Sequence, residues 1–563
     1  MKLRISFFNP TAFRKNLTRF APAWVLYGVF LLLCMIMMVD AGDTGAWFAY
    51  DVGVSIRPMV ALNACYALLC AQLLFGDLYS SRMCNALHAM PLPREGWFFT
   101  NVVSGFVFSL LPNAAITLLS MFFAEKFMVV PLLWLVASTL QFVFFFGTAV
   151  LAAYCTGNRF AMVVIYGIIN GFSVIAYWLI GKLFVPMLYG FEITEDIFLL
   201  LCPVAKQIMH SYVEVENISS AGTGSVILGD GWGYLGICAV LGIVCLGLGL
   251  LAYRKRNLEH AGEFVTVRWL SPVFLVLYSL CVSAVCHVFF YIFVGEDSVG
   301  FLLVGITMGV FTGRMLLDRT VRVFKKRTFI TYGIIMGAFA ASLLLTWLEP
   351  LGITRWVPKA EQVQSVSIYT GAARYYEDRD NYQFTDKAQI EDILQLHTYG
   401  VENRSDGANG KADTKLFLTY HMENGLTHKR YYYVDIDTEA GALLNTYMSS
   451  PEIVLGVSED QIDAYAKKIS RVSGEFGEIA DDEKIKELLQ AVLLDCKAGT
   501  MNRDGNFDNG VFATWITLQS QDNTVPGGLR YYYRDLRVSE KSVNTLAWLE
   551  KYDLKLEKDI YVK

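Results

Sequence analysis

Nine predominantly apolar stretches govern what this chain can fold into: residues 22–39, 58–76, 102–123, 128–153, 161–183, 234–253, 273–294, 299–317 and 329–348. Each is long enough to cross about 30 Å of hydrocarbon as a helix. Of the 563 residues, 54% are hydrophobic and 18% charged, whereas charged residues make up roughly a quarter of an ordinary soluble protein. The charges also divide unevenly. Residues 1–349 hold 22 Lys/Arg and 18 Asp/Glu, and residues 350–563 hold 25 and 34. A membrane part with a slight positive excess therefore precedes a polar, acidic tail of about two hundred residues. This charge balance excludes a basic nucleic-acid binder. Cys496 is the sole cysteine after residue 300, so the tail has no internal disulfide, as suits a bacterial surface without a disulfide framework.

Residues 1–20 do not read as a signal peptide, because Lys2, Arg4, Arg14, Lys15 and Arg19 are scattered through them. They read as an interfacial amphipathic helix. Asn9 is its N-cap, Pro10 lies in the first turn, and Phe13, Leu17 and Phe20 form one apolar stripe.

Orientation follows from the basic residues. With the N-terminus in the cytoplasm, segments 1–20, 77–101, 154–160, 254–272 and 318–328 are cytoplasmic. They carry Arg82, Arg94, Arg159, Arg254-Lys255-Arg256, Arg268, Arg319, Arg322 and Lys325-Lys326-Arg327. The opposite loops carry Arg57, Lys126, Lys182 and Lys206. The positive-inside rule then places the N-terminus inside, and an odd number of spans places the tail outside.

Ion-driven pumps need buried carboxylates or histidines as relays. The spans instead contain Asn63, Gln72, Asn113, Gln141, Asn170 and His287, with no Asp or Glu well inside them. Interhelical hydrogen bonding is the expected use of the amides, and packing or a local hydrogen bond that of His287. Arg314, near the end of the eighth span, is expected to snorkel to the headgroups. Gly305, Gly309 and Gly313 in the eighth span, and Gly333 and Gly337 in the ninth, form GxxxG steps that predict close helix packing.

The chain has no GxxxxGK[ST] phosphate loop, so ATP-driven work would need a partner. Between the second and third spans, Leu78-Tyr79-Ser80-Ser81-Arg82-Met83-Cys84-Asn85-Ala86-Leu87-His88-Ala89-Met90-Pro91-Leu92-Pro93-Arg94-Glu95 reads as a short helix stopped by Pro91 and Pro93. This stretch resembles the coupling-helix loop of permease subunits of type-2 ATP-binding cassette (ABC) exporters of Gram-positive bacteria. The resemblance covers about residues 1–265. It includes the N-terminal amphipathic helix, a six-span core (21–265), a longer external segment before the sixth span (Val185 to Gly233) and the basic exit from Tyr253 to Glu263.

The resemblance implies a multi-pass subunit of the bacterial cell membrane, pairing with a second permease (identical or paralogous) and with cytoplasmic ATP-binding subunits that hold the ATP. Arg82, Asn85, His88, Met90, Leu92, Arg94 and Glu95 would then form the ATPase-coupling interface. Three additional spans (266–349) and the tail (350–563) depart from the family's pattern.

Within the tail, Arg430-Tyr431-Tyr432-Tyr433 recurs as Arg530-Tyr531-Tyr532-Tyr533, Ile390-Glu391-Asp392 matches Ile485-Lys486-Glu487, and Asn445-Thr446 matches Asn544-Thr545. Two related halves, about 363–450 and 466–555, are expected. Each reads as a strand (363–369; 469–472), an amphipathic helix (386–397; 481–494), two further strands and a closing helix. The turns fall at Asn424-Gly425 and Pro526-Gly527-Gly528. The expected architecture is a polytopic α-helical membrane protein with a C-terminal α+β extracytoplasmic domain of two similar lobes. Alternation predicts that the middle tyrosine of each triplet faces opposite to its neighbours, as in a strand between a helix layer and a wet face. His397, His421 and His428 are too dispersed to argue a site, and no catalytic, metal or cofactor constellation is read. The expected function is that of a non-enzymatic permease subunit. The alternative is a membrane-anchored sensor or immunity protein whose tail binds a ligand, and a multi-span enzyme of envelope synthesis ranks below both.

Overall fold

The computed structural model describes residues 8–39, 45–88, 93–193, 199, 201–216, 225–256, 262–266, 269–295, 298–350, 352–370, 382–403, 414–502, 512–522 and 530–554. The chain divides into two compact units, one of Met1–Ile180 and Ile197–Ser342, the other of Gly181–Asp196 and Leu343–Lys563.

Among the described residues nine helices are long and apolar enough to cross a membrane. In order they are Ala21–Val39, Ile56–Phe75, Arg94–Phe123, Val129–Cys155, Arg159–Leu183, Trp232–Lys255, Leu270–Val294, Val299–Asp318 and Lys326–Leu348. Every expected span is present, and the protein is a polytopic helical membrane protein with β-sheets in its C-terminal region. The preceding helix, Pro10–Arg19, starts as its sequence dictates. The Asn9 side chain accepts from the amides of Thr11 and Ala12, and Pro10 occupies the first helical position. This helix lies on the third span through Asn9 N–H to Thr100 Oγ1 (3.0 Å) and Asn16 Nδ2 to Asn101 Oδ1 (2.9 Å).

The amides within the spans knit the helices together. Asn63 Nδ2 donates to Gln141 Oε1 (2.9 Å) and Ser138 Oγ (3.2 Å), Asn113 Nδ2 to Ser109 Oγ and Ser138 Oγ (both 3.2 Å), and Gln141 Nε2 to the Ile56 carbonyl (3.2 Å). The Tyr27 hydroxyl lies 3.3 Å from both Asn63 Oδ1 and Asn113 Oδ1. Four spans thus meet around one buried polar cluster, where an unmade bond would cost more than in water. His287 packs its ring against Trp178, 5.1 Å between centroids. Arg314 forms an i,i+4 ion pair with Asp318 at 3.0 Å.

Glycine decides how closely the helices approach. A Cβ added at Gly305 or Gly309 would sit 2.5 Å from the Cα of Ser283 or Ser279, and one at Gly313 would meet Leu275 and Tyr278 at 2.9 Å. The eighth span therefore packs on the seventh through its GxxxG steps, as expected. Gly333 and Gly337 are a correction: a Cβ at either has nothing within 4 Å, because the ninth span buries only Thr328 among its described side chains. An unflagged pair, Gly147 and Gly242, joins the fourth and sixth spans. A Cβ at Gly147 would lie 2.1 Å from the Gly242 carbonyl oxygen, and one at Gly242 would lie 2.5 Å from that of Val143.

In the first unit β2 (Val213–Glu216) pairs antiparallel with β3 (Ser225–Leu228), and the second unit contains two four-stranded antiparallel sheets. One runs β1 (Phe191–Glu192), β6 (Thr427–Val434), β5 (Thr414–Met422), β4 (Val363–Thr370). The other runs β10 (Arg530–Ser539), β9 (Phe512–Asp522), β7 (Ile469–Gly474), β8 (Gly477–Ile479). Helix Lys387–Glu402 buries Ile390, Ile393 and Leu396 against the first sheet, and helix Asp482–Lys497 buries Ile485, Leu488 and Val492 against the second. The β5–β6 hairpin turns at Gly425, whose φ of 80° suits a residue without a Cβ. The second expected turn, 526–528, lies outside the described residues.

β1 is the unexpected element. It comes from the segment just after the fifth span and pairs Phe191 with Arg430 and Glu192 with Lys429. Arg430 is buried between the rings of Phe191 and Trp356, 5.2 and 5.6 Å from their centroids, and donates to the Ile353 carbonyl at 3.1 Å. Burial pulls its pKa below the usual arginine value.

The triplet repeat needs correction at the level of register. Arg430 is opposite Leu418, which is itself opposite Ile368 of β4, so it lies in mid-sheet. Arg530 is opposite Asp522, beyond the Ile469 to Ser520 pair that ends the β7–β9 ladder. The two arginines share letters and not a place in the fold. Ile390 and Ile485, in contrast, are each the fourth residue of their helix. In the first triplet Tyr432 is fully buried while Tyr431 and Tyr433 are partly exposed, as alternation predicts. In the second, Tyr533 is exposed and the side chains of Tyr531 and Tyr532 lie outside the described set.

His397 is fully buried between two tyrosines. Its Nδ1 lies 3.0 Å from the Tyr420 hydroxyl and its Nε2 2.7 Å from that of Tyr432. A neutral imidazole serves this arrangement, one nitrogen donating and the other accepting. Burial, reinforced by the positive charge of Arg430, holds the pKa of His397 down to about 3. The unfolded chain takes up this proton below about pH 6.5 and the folded one does not, so stability present above pH 6.5 is lost as pH falls toward 3. Between pH 7.5 and 5 the loss from His397 is expected to be about 2 kcal/mol. Half-buried His428, whose pKa is also lowered by burial, adds in the same direction. Chemical denaturation of the full chain in nanodiscs at both pH values, followed by tail fluorescence, checks this. The His397→Leu variant is expected to be less stable at pH 7.5 but to show a flatter pH dependence.

Candidate coupling surface between the second and third spans

The second span leaves its helix through a 3-10 turn, Gly76–Tyr79, and enters the short helix Ser81–His88. Cys84 points inward at 2% exposure, and Arg82, Met83 and Asn85 are exposed. Of the sequence candidates, Arg82 and Asn85 thus occupy the outer face of this helix. The backbone of His88 ends it, but its side chain is outside the described set, and Met90 and Leu92 lie outside the described residues altogether.

Arg94 and Glu95 are turned inward. The Arg94 Nη1 donates to the carbonyls of Tyr253 (3.2 Å), Arg254 (3.3 Å) and Arg256 (3.2 Å), and its guanidinium lies 5.8 Å from the centre of the Tyr253 ring. Glu95 Oε1 pairs with Arg254 Nε at 3.0 Å. The last carbonyls of a helix have no partner within it and carry its negative dipole end, so a cation is well placed there. Arg94 therefore caps the sixth span, and the candidate interface separates into an outward pair and an inward pair.

Arg256, just past the sixth span, holds the base of the surface. It is buried at 8% exposure, and its two Nη atoms donate at 3.3 Å to the carbonyls of Leu78 and Ala153, at the exits of the second and fourth spans. Burial pulls its pKa below the usual arginine value. Tyr154 lies among Phe75, Phe98 and Tyr253, with ring centroids 5.3, 5.7 and 4.7 Å away, which fills the space behind the helix. Gly76 admits Arg159, whose Nη2 would be 3.2 Å from an added Cβ. In the sequence Arg159 counted toward membrane orientation, and Arg256 toward orientation and the basic exit of the sixth span. A basic cluster ending a span does not distinguish a buried staple from a solvated charge.

The arrangement is a short helix with an exposed cation, thioether and amide on a firmly held base. No family model, curated protein or solved structure matches this chain. Among the described residues no group of three or more His, Cys, Asp or Glu is placed to hold a metal ion. Arg94→Glu is expected to destabilise the membrane unit by about 2 kcal/mol, since it puts a carboxylate against carbonyls and beside Glu95. Arg82→Glu is expected to change stability by less than about 0.5 kcal/mol. Thermal unfolding of the two full-length variants in nanodiscs measures the difference.

Proposed function

We propose that this protein is the permease subunit of a type-2 ABC exporter in a bacterial cell membrane, energised by a separate cytoplasmic ATPase and paired with a second permease. The observation that carries this reading is the helix Ser81–His88, whose base is tied to three spans while Arg82, Met83 and Asn85 face outward. Such a lever can pass the motion of a docked partner to the ends of the second, fourth and sixth spans. The residue stretch that resembles the coupling loop, the N-terminal helix lying on the third span and the excess of basic residues on that side support the same reading. The amide network offers hydrogen bonds and no proton relay, which leaves the energy source to a partner.

In this reading the tail lies outside the cell and has two related lobes. The shared order of three strands, β6-β5-β4 and β10-β9-β7, supports relatedness, as do helices placed alike and register shifts at Val363/Ser365 and Ile469/Arg471 in the corresponding strands, while the fourth strand, β1 or β8, adds at opposite edges. The β1–β6 pair supports the threading. It joins the segment after the fifth span to the segment after the ninth, which requires an even number of crossings between them. ATP-dependent accumulation of labelled amphiphiles in inverted vesicles, compared with vesicles lacking the chain, tests export.

A second reading, a sensor whose tail captures an external ligand, draws on the same strand. β1 follows the fifth span after a short connection, 184–190, through which a ligand that moves the first sheet could pull on that helix. Accumulation that depends on both ATP and the chain would set the sensor aside, and its absence would favour it.

A further inference from the structure

An apolar cavity of about 590 Å³ opens among the fourth, fifth, sixth and seventh spans of the membrane unit. Its size falls within the range of roughly 300 to 1,000 Å³ usual for ligand pockets. Leu151, Ile165, Ile168, Leu248, Leu251 and Val273 represent its walls, and at one end it meets Lys255, Arg256 and Trp269. Leu248, Leu251 and Val273 are 48%, 51% and 42% exposed on helices apolar enough to cross a membrane, and Trp269, 71% exposed, just precedes the seventh span. Part of the cavity wall is thus formed by side chains on the outward faces of these helices. Its charged end lies at the basic end of the sixth span, and an indole at such a place marks the membrane–water interface. Arg256 is fixed by the carbonyls of Leu78 and Ala153. The Lys255 ammonium forms no ion pair among the described residues.

We propose that this cavity binds an anionic glycerophospholipid from the leaflet that faces the basic loops. An acyl chain fills the apolar walls, and the phosphate-bearing head group meets Lys255, with Arg256 adding fixed positive charge behind it. An apolar ligand without charge would leave the cationic end unanswered, and a free anion would leave the walls empty. Since Arg256 also holds the base of the Ser81–His88 helix, lipid occupancy bears on the same staple. The site itself does not depend on whether the chain exports anything.

The test uses the full chain, delipidated and placed in nanodiscs of phosphatidylcholine with or without phosphatidylglycerol, then ejected for native mass spectrometry. Phosphatidylglycerol is expected to be retained in preference to phosphatidylcholine. Lys255→Gln is expected to lower its retention about fivefold, the size of one basic contact at a membrane surface. Leu251→Trp, which fills the cavity from its lipid-facing wall, is expected to lower it as well. Lys255→Arg, which keeps the charge, and Lys206→Gln, in a different loop, are expected to retain the lipid. Equal retention of the two lipids, or undiminished phosphatidylglycerol in both Lys255→Gln and Leu251→Trp, overturns the proposal. Size-exclusion profiles matching the parent protein establish that a loss reflects the site and not the fold.

Discussion

Asp495→Ala is expected to destabilise the second tail sheet and its helices by roughly 3 to 5 kcal/mol, the cost of removing one partner from a buried, charged hydrogen-bond set. Asp495 is 1% exposed. Its Oδ1 accepts from the Asn544 amide (3.0 Å) and Asn544 Nδ2 (2.8 Å), and its Oδ2 from the Thr545 amide (2.8 Å) and Thr545 hydroxyl (2.7 Å). Asn544 and Thr545 are the second and third residues of helix Val543–Lys551, so a carboxyl group from helix Asp482–Lys497 caps it in place of a local side chain. Alanine would leave these donors, the buried Thr545 amide and hydroxyl among them, without this acceptor. Hydrogen exchange on the full chain in nanodiscs should show protection lost in 484–497 and 543–551 and kept in 387–402. Undiminished protection across 543–551 would refute this account of the cap.

The membrane unit has an equally sharp weak point at the contact of the fourth and sixth spans. Gly242→Leu is expected to cost roughly 3 kcal/mol or more, because its added Cβ already lies 2.5 Å from the Val143 carbonyl oxygen and 2.6 Å from the Phe144 Cα. Backbone cannot yield as a side chain can, so the helices must separate along a seam that also holds the Gly147 contact. Gly333→Leu, in the ninth span, is the matched control with open space around it and is expected to be neutral within about 0.5 kcal/mol. Thermal unfolding of the two full-length variants in the same detergent compares them. Equal melting temperatures would contradict the packing described for Gly242.

The spans were legible because a helix in hydrocarbon must be apolar along its whole length, and composition records that directly. Asn9 and Pro10 announced the start of the N-terminal helix for a similarly local reason, and alternation placed Tyr432 inward. Contacts made at a distance were not legible. The glycine pattern marked Gly305, Gly309 and Gly313 correctly, but gave Gly333 and Gly337 the same weight because spacing does not say whether a neighbour is present. Gly147 and Gly242 meet without either having a helical glycine motif with the other. The repeated Arg-Tyr-Tyr-Tyr letters misplaced the register of the second sheet, since strand pairing is set by which residues are buried against β9, and there Leu536 and Val538 take the inward positions. Arg94 looked outward in the sequence because a basic residue in a loop is ordinarily solvated. Its role as a cap depends on carbonyls about 160 positions away.

Gentle purification of the full chain from its native membrane, with identification of whatever co-purifies in near-equal amount, tests the central claim most directly. The exporter reading predicts a phosphate-loop ATPase that accompanies the parent protein and is lost when Arg82→Glu is combined with Met83→Asp, while the variant keeps the parent's thermal stability. Absence of any ATPase, under conditions that keep a known transporter complex together, would contradict it. An ATPase bound equally well by the double variant would contradict the assignment of the Ser81–His88 helix as its docking surface.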